Sequence, residues 1–424
     1  MVFRTWLLST FLVAATVVAV AEAAPAGEDT TKTESSADAQ QEKEAGIAAS
    51  EAAVEERGPI YSLLRDKQVP IFGIKWGGQI FLDAPLNSEP EGAQVTLRRA
   101  ELLFWKTFNP NWSAKLTMLY NGGEFNLSDN YLVYSGWHTG IATIGIFDPP
   151  YSLESLSSTA GLTFMERALP VFALSENKSG GAGLLKRTRN SILSAGLFVV
   201  SPRQDDVRQS GQALVARYVH SPIDFMGSKA VHLGGSFSYR INAQQDQTEF
   251  KSRPEISVAD DYYVNTGVID GTDKVLRIGL EASSVVGRLS WQAEALSARV
   301  ERTGYKNVTF RGAYANVSWF LTNDSRNYDA GTGEFQPVVP NHPLFSGGKG
   351  AFEIAARVSH VDLTDQDIIG GKESNISLGF NWYLNSHFRV MSNLIKVLDV
   401  NRPGSEYDGL DPLIFAVRLQ WTLL

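Results

Sequence analysis

The sequence predicts an all-β protein, a transmembrane barrel of 16 antiparallel strands with one long loop folded inward. After residue 70, apolar and polar side chains alternate over runs of about ten residues, which is typical of strands with one apolar face. Aromatic residues make up 11% of the chain and glycines number 37, a composition that favours strands over helices. An apolar run at the N-terminus predicts export, which a barrel of an outer membrane requires.

Residues 1–23 are predicted to be a secretory signal peptide. Arg4 provides the positive start, Trp6 to Val20 form an almost continuous apolar run, and small residues follow at Ala23 and Ala24. The run is short for a span of ~20 residues, so a single N-terminal membrane anchor is the less favoured alternative. We expect a protein exported to the outer membrane of a bacterial cell.

Residues 24–67 are predicted to form an acidic, Ala/Glu-rich periplasmic spacer. Residues 1–57 hold 4 basic and 10 acidic side chains, so most of the net charge of −8 lies in this part of the chain. Ile47, Val54 and Tyr61 are spaced by seven, which is compatible with a short coiled coil. A flexible tether without a partner is equally compatible with this composition.

Composition also excludes several classes of function. The chain has no cysteine, which excludes a disulfide scaffold and a thiolate metal site. Its acidic balance argues against nucleic-acid binding. The six histidines form no metal-ligand spacing, and the Gly180–Gly183 stretch is interpreted as loop because no Lys-Ser/Thr follows it directly. We expect no enzymatic activity, no metal and no cofactor.

Residues 68–424 are predicted to form the barrel. Fifteen strands can be placed by alternation, beginning near Ile71, Gln94, Trp112, Leu127, Gly140, Ile192, Gln212, Ala230, Val275, Arg288, Val308, Gly350, Ser374, Phe388 and Leu413. Single-chain bacterial barrels have an even strand number, and we place a sixteenth strand between Glu255 and Thr266. A soluble β-sandwich or propeller would also alternate, but no blade repeat is visible. Aromatic residues at the strand ends, such as Trp319, favour a lipid-facing band with girdles.

The polar face of the predicted strands carries more basic than acidic side chains. Parity places eight basic residues inward: Lys115, Arg217, Arg240, Arg277, Arg288, Arg357, Arg389 and Arg418. The inward acids on the same strands are Glu281, Glu294 and Glu353. Cations in a lumen with a low-dielectric wall predict a preference for anions. Alternatively, the arginines pair with the carboxylates and brace the wall.

Two further features concern the narrow part of the lumen. A regular pleat places one of Arg98 and Arg99 inward and the other near an interface. About forty Pro-, Ser- and Gly-rich residues separate Asp148 from Ile192, and loops of this length are usually functional. They contain Arg167, Lys178, Lys186, Arg187 and Arg189. We predict that this loop constricts the lumen, although an outward surface loop is the alternative.

Several segments occur in an order that resembles one family. They are Gly77–Asp83, Leu97–Ala100, Gly145–Glu154, Phe164–Leu169, Arg253–Glu255, Ser318–Thr322, Gly350–Ser359 and Leu378–Asn385. This set resembles the phosphate-selective porin O and P family. The resemblance implies an outer-membrane barrel, usually a homotrimer, in which arginines and a lysine strip water from phosphate and guide it through. The matching positions are Arg98, Arg99, Asp129, Ser157, Ser158 and Arg167.

This chain departs from the family pattern at the loop entry. Ile146 and Asp148 stand where many relatives carry a glutamine and a lysine, and no basic residue lies between Asp148 and Glu166. This departure argues against a tight phosphate site.

These observations predict a passive channel for small anions, phosphate or related oxyanions. Arg98, Arg99 and Arg167 form the predicted narrow zone, and Asp129 and Glu353 keep binding weak. The wall charges along the predicted pathway are Arg277, Arg357 and Arg418. The alternatives are a general diffusion porin with little selectivity and a structural tether that acts through the spacer. The expected partners are outer-membrane lipid, small anions and further copies of the chain.

Overall fold

The computed structural model describes residues 73–85, 95–121, 124–138, 140–200, 211–222, 229–242, 248–257 and 261–423. The signal peptide, the acidic spacer and its possible coiled coil lie outside the described residues. They therefore stay predictions.

The described residues contain twenty strands, numbered here in chain order. Sixteen of them close a barrel: β1 (Ile74–Pro85), β2 (Thr96–Asn109), β3 (Trp112–Asn121), β4 (Glu124–Trp137), β5 (Gly140–Phe147), β6 (Ser179–Arg187), β7 (Ser191–Val200), β8 (Gly211–His220), β9 (Lys229–Asn242), β12 (Thr272–Val286), β13 (Leu289–Arg302), β14 (Val308–Phe320), β17 (Ala351–Asp365), β18 (Ile368–Tyr383), β19 (Phe388–Asn401) and β20 (Leu413–Leu423). Each pairs antiparallel with the next, and β20 closes the barrel by pairing with β1. The predicted 16-stranded fold is confirmed.

Four short strands lie in connections rather than in the wall. β10 (Lys251–Ser252) pairs with β11 (Val264–Asn265) between β9 and β12. β15 (Asn327–Asp329) pairs with β16 (Glu334–Gln336) between β14 and β17.

The barrel carries its apolar side chains outside and its polar side chains inside. On β8, outward Leu214 is 46% exposed, whereas inward Arg217 is 3% exposed. This arrangement suits a lipid exterior and a polar interior. Aromatic rings cluster at the end of the barrel with the short turns, where Trp112 packs on Tyr134 and Tyr134 on Trp137. No helix among the described residues is long and apolar enough to cross a membrane.

The sixteenth strand is not where the sequence placed it. The described residues between Glu255 and Thr266 contain only the two-residue β11, and the missing barrel strand is β6. Its glycines hide the alternation, and they are needed because the strands approach closely. A Cβ atom on Gly181 would lie 2.4 Å from the Leu197 carbonyl oxygen. Consequently Lys186 and Arg187 belong to the wall rather than to the loop.

One predicted inward arginine is also misplaced. Arg288 lies in the two-residue turn between β12 and β13, not on the inner wall. Gly287 adopts a φ of 56°, which ends the pleat before Arg288 is reached. The other seven basic residues that parity placed inward all lie on barrel strands, as predicted.

The connection between β5 and β6 folds into the barrel, as predicted. This constriction loop, residues 148–178, contains helix α1 (Leu153–Leu156), a 3₁₀ turn (Thr159–Gly161) and helix α2 (Leu169–Leu174). Leu169 and Leu174 are fully buried in one cluster with Val275 and Phe310 of the wall. Apolar packing against one side of the lumen therefore fixes the pose of the loop.

A second connection enters the lumen from the opposite end. Residues 321–350 link β14 to β17 at the end of the barrel that has the short turns, and their β15–β16 hairpin meets the constriction loop. The Phe335 N–H donates to Ser157 Oγ at 3.1 Å, and Arg217 Nη2 donates to the Gly333 carbonyl at 2.8 Å. The alternation pattern did not predict this hairpin.

Candidate functional site

A β-bulge turns two adjacent arginines into the lumen. In the β1–β2 register, Phe81 pairs with Arg99 and Leu82 pairs with Leu97, which leaves Arg98 as the extra residue. Arg98 Nε donates to Glu166 of the constriction loop at 3.0 Å, and Arg99 Nε donates to Glu101 at 3.0 Å. The expectation that one of the two arginines lies near an interface is therefore wrong, because it assumed a regular pleat.

A second group of charges lies on the neighbouring strands. Lys115 Nζ of β3 donates to Asp129 Oδ2 of β4 at 2.9 Å. Lys178, just before β6, also donates to Asp129 and lies 3.2 Å from Asp148. The Lys115 ammonium sits 5.8 Å from the centre of the Tyr131 ring. Asp129 is thus held between two lysines inside the barrel.

These eight side chains form what we call the accessible cluster: Arg98, Arg99, Lys115, Lys178, Glu101, Asp129, Asp148 and Glu166. Its four cations keep between 14% and 27% of their side-chain surface exposed to water. The cluster holds four positive and four negative groups. The cations of the cluster are therefore open to water but already have carboxylate partners.

A different set of inward charges, which we call the buried pairs, is closed off from water. They are Arg217–Glu281, Arg277–Glu176, Arg357–Glu255 and Arg418–Asp83, and their arginine side chains are at most 4% exposed. Three of these arginines were predicted as wall charges of the pathway. They do face inward, but each is closed off by packing and by its carboxylate.

The buried pairs hold the loops in place. Arg277 Nη1 lies 2.5 Å from Glu176 Oε1 of the constriction loop. Arg357 Nη1 donates to the Glu166 carbonyl at 3.0 Å, and its Nη2 lies 2.7 Å from Glu255 Oε2. These bonds tie loop backbone and loop carboxylates to the wall.

Glu166 joins the two sets. It accepts from Arg98 Nε at 3.0 Å and from Arg418 Nη2 at 2.7 Å. Burial disfavours the charged carboxylate, but Arg98 and Arg418 outweigh burial and hold the pKa of Glu166 well below its usual range. Glu166 therefore remains ionised and pins the loop to the arginine pair. In Glu154, by contrast, burial outweighs Arg357 and raises the pKa.

The remaining predicted site residues lie in the constriction loop. Arg167 donates to the carbonyls of Glu154 at 3.1 Å and Ser155 at 2.9 Å, so it caps α1. Ser157 is buried, and its hydroxyl donates to the Leu153 carbonyl at 2.7 Å. Ser158 bonds Phe335 through its backbone N–H at 3.3 Å. The structure thus places Arg98, Arg99 and Asp129 in the accessible cluster. Arg167, Ser157 and Ser158 instead make hydrogen bonds that stabilise the constriction loop itself.

Some residues of the site were not assigned a role from the sequence. Lys178 lies directly before a strand that the alternation pattern did not reveal. Glu255 accepts from Ser359 at 2.5 Å and Ser377 at 2.7 Å in addition to its pairing with Arg357. Arg326 donates to Thr163 Oγ1 at 2.5 Å. Glu255 lies in the family-like segment Arg253–Glu255, and that resemblance is the signal that could have indicated it.

No cluster of three or more potential ligand side chains that could hold a metal ion occurs in the described part of the chain.

Comparisons with known proteins match this architecture. A family model described as phosphate-selective porin O and P matches residues 74–423. Porin O of Pseudomonas aeruginosa is 24% identical over 76% of this chain and 81% of its own length. An uncharacterized protein of Caulobacter vibrioides is 29% identical over 68% of this chain, which spans 60% of that relative's length.

Solved structures agree on the fold. The anion-selective porin from Comamonas acidovorans superposes with a TM-score of 0.50 at 12% identity, covering 82% of this chain and 99% of that chain. OmpT of Vibrio cholerae in its trimer form superposes with a TM-score of 0.51 at 11% identity, covering 82% of this chain and 98% of that chain.

Proposed function

The chain belongs to the phosphate-selective porin O and P family, and from this premise we propose a passive channel for small anions, phosphate or related oxyanions, with weak selectivity. Family and fold are those of bacterial outer-membrane channels rather than of enzymes. The proposal concerns which solutes pass and which side chains they meet.

The observation that carries the proposal is the inward pair Arg98 and Arg99. The bulge in β2 turns both arginines into the lumen, where Arg98 bonds Glu166 of the constriction loop and about a fifth of each side chain is exposed to water. A guanidinium fork donates two hydrogen bonds to one phosphate or carboxylate. An oxyanion that leaves part of its hydration shell at this point finds replacement donors.

The carboxylates of the accessible cluster argue for weak selectivity. Each of its four cations is bonded to at least one carboxylate, so an anion must compete with Glu166, Glu101 or Asp129 for the same donors. Several weak sites allow a solute to leave as readily as it enters. The same charge balance favours a second candidate function, a general diffusion porin with little selectivity.

We also propose a homotrimer and a two-part N-terminus. The OmpT structure that shares this fold is described as a trimer, and the apolar outer wall offers a surface for such an assembly. Residues 1–23 are proposed as signal peptide and residues 24–67 as a periplasmic spacer, a tether or a short coiled coil. Residues 68–424 are proposed as the porin domain.

Single-channel recording of the purified full chain tests the proposal. In a KCl gradient we expect a reversal potential that reports a modest preference for chloride, and added inorganic phosphate should reduce the chloride current. A reversal potential near zero without phosphate block would favour the general diffusion porin. Absence of conductance would overturn both channel functions and favour the tether.

A further inference from the structure

Two arginines on the outer wall face the lipid rather than the lumen. Arg299 of β13 and Arg311 of β14 point outward, and both are exposed. Neither forms a hydrogen bond, an ion pair or a ring contact with any residue that the structure describes. An unpaired arginine on the lipid face of a barrel is costly in the middle of the bilayer, by ~2–4 kcal/mol, and nearly free at its edge.

The neighbouring outward cations already have partners. Lys274 of β12 lies 3.6 Å from Glu301, and Lys372 of β18 lies 2.9 Å from Asp362. Asp362 is also opposite Arg311 in the β14–β17 register, but it binds Lys372. Asp365 also lies at this edge, where its carboxylate accepts from the Thr309 N–H at 2.8 Å. These seven side chains hold four positive and three negative charges. The patch therefore carries a small excess of positive charge, which lies at Arg299 and Arg311.

The two arginines lie at the same depth in the membrane. Arg299 is eight residues from outward Trp291, and Arg311 is eight residues from outward Trp319. Both tryptophans lie at the end with the short turns, which faces the periplasm in bacterial barrels. At ~3.3 Å per residue and a tilt of ~40°, eight residues rise ~20 Å of an apolar band ~25 Å tall. Arginine side chains can extend the remaining distance to the outer headgroups.

The register brings the two guanidinium groups within reach of one anion. Arg299 pairs with Thr309, and Ser297 pairs with Arg311, so the arginines are diagonal neighbours on adjacent strands. Such neighbours lie ~7–8 Å apart, which two long side chains bridge easily. The hydroxyls of Ser297 and Thr309 face the same side. Toward the end of the barrel with the short turns, the next outward residues on the two strands are Ala295 and Ala313. Their small side chains leave room for an acyl chain.

We propose that Arg299 and Arg311 bind the phosphate of an outer-leaflet lipid headgroup. The charge of the patch, its depth and its orientation toward lipid all favour a phosphorylated lipid over a soluble anion. Two guanidinium groups without carboxylate partners can each donate bidentate hydrogen bonds to phosphate oxygens. The site lies outside the lumen, so it does not depend on the proposed channel function.

Native mass spectrometry of the full-length chain in detergent tests this site, with diphosphoryl lipid A as the probe. We expect lipid A to bind the wild type at least tenfold more tightly than the double variant Arg299→Gln/Arg311→Gln, because each arginine contributes charge-assisted hydrogen bonds. Lipid A without its phosphates should bind the wild type as weakly as lipid A binds the double variant. The matched control is Lys396→Gln, an outward cation of β19 that already pairs with Asp411; it should bind within twofold of the wild type.

The outcomes separate this site from its alternatives. Equal lipid A affinity in the wild type and the double variant would overturn the proposal. So would competition by millimolar inorganic phosphate, which would indicate a soluble anion as the occupant. A variant that keeps its lipid but loses its oligomeric mass would show that the patch contacts a second copy, which also overturns it. Unchanged single-channel conductance of the double variant would verify that it is folded.

Discussion

The accessible cluster and the buried pairs use the same chemistry in different surroundings. In the accessible cluster, four cations keep 14% to 27% of their side chains in water while bonded to carboxylates. In the buried pairs, four arginines with equally close carboxylates are at most 4% exposed. Residue type and pairing are alike, so the two sets differ in how much of each cation water can reach. Substitutions in the two sets should therefore show their largest effects in different assays, stability for the buried pairs and ion selectivity for the accessible cluster.

The largest effect is expected from Arg357→Ala among the buried pairs. The change leaves Glu255 without its cation in a dry environment and frees the Glu166 carbonyl. Removing one partner of a buried pair costs about 3–5 kcal/mol. Urea unfolding of the purified barrel should show this loss of free energy of unfolding. The control Arg288→Ala changes a turn residue and should shift it by less than 0.5 kcal/mol. A loss below about 1 kcal/mol for Arg357→Ala would mean that water reaches this pair.

The next largest effect is expected from Ser157→Ala, which should also lower the free energy of unfolding. The substitution removes the acceptor of the Phe335 N–H and the donor to the Leu153 carbonyl. The Leu153 carbonyl keeps the Ser157 N–H as a donor at 3.0 Å, so the cost comes from the Phe335 N–H, and an unsatisfied buried donor costs about 1–3 kcal/mol. Ser158→Ala is a matched control, because Ser158 reaches Phe335 through its backbone. We expect Ser158→Ala to unfold like the wild type. Equal stability of both variants would contradict the structural role of Ser157.

Within the accessible cluster, Arg98→Gln/Arg99→Gln should change selectivity. The double variant leaves Glu166 and Glu101 uncompensated by these arginines and shifts the cluster from neutral to a net charge of −2. Two charges at ~6 Å in water change the free energy of a chloride ion by about 1.4 kcal/mol together and that of a potassium ion by the same amount with the opposite sign, or about a hundredfold in the ratio of chloride to potassium permeability. The reversal potential in a KCl gradient measures this ratio. Arg288→Gln should leave it unchanged, and an unchanged ratio in the double variant would place the solute path elsewhere.

The smallest effect is expected from Asp129→Asn, with the opposite sign. The change removes the carboxylate between Lys115 and Lys178 and keeps its shape. One charge at this distance corresponds to about 0.7 kcal/mol for each ion, with opposite signs for chloride and potassium, so we expect the chloride preference to rise about tenfold. Phosphate should also block more strongly. A fall in chloride preference would show that Asp129 serves only to position the lysines.

The sequence predicted those parts of the structure that follow from local periodicity. Alternation located fifteen strands and the correct face of Arg217, Arg357 and Arg418, because a side-chain period of two is a property of each strand alone. β6 was missed because its glycines carry no side-chain pattern. The inward position of Arg98 was missed because a bulge depends on the pairing of two strands.

The carboxylate partner of each inward arginine could be predicted less well than the strand face on which the arginine lies. Glu176, Glu255 and the β15–β16 hairpin come from connections, and a connection carries no periodic signal that fixes where it folds. A count based on strand parity includes only the charges of the wall. It omits the carboxylates that the connections contribute, and it therefore overestimated the unpaired positive charge in the lumen. The alternative interpretation, that arginines pair with carboxylates and brace the wall, describes the buried pairs correctly.

Arg418 has a consequence for how the barrel is assembled. It lies on the last strand, whereas Asp83 lies on the first strand and Glu166 in the constriction loop. These three side chains meet only where β20 pairs with β1, so the bonds form when the seam shuts. The pairing of β20 with β1 thus both closes the barrel and bonds the constriction loop to the wall. A barrel in which β20 has not yet paired with β1 would have almost all of its wall, but its constriction loop would lack the bond from Arg418 to Glu166.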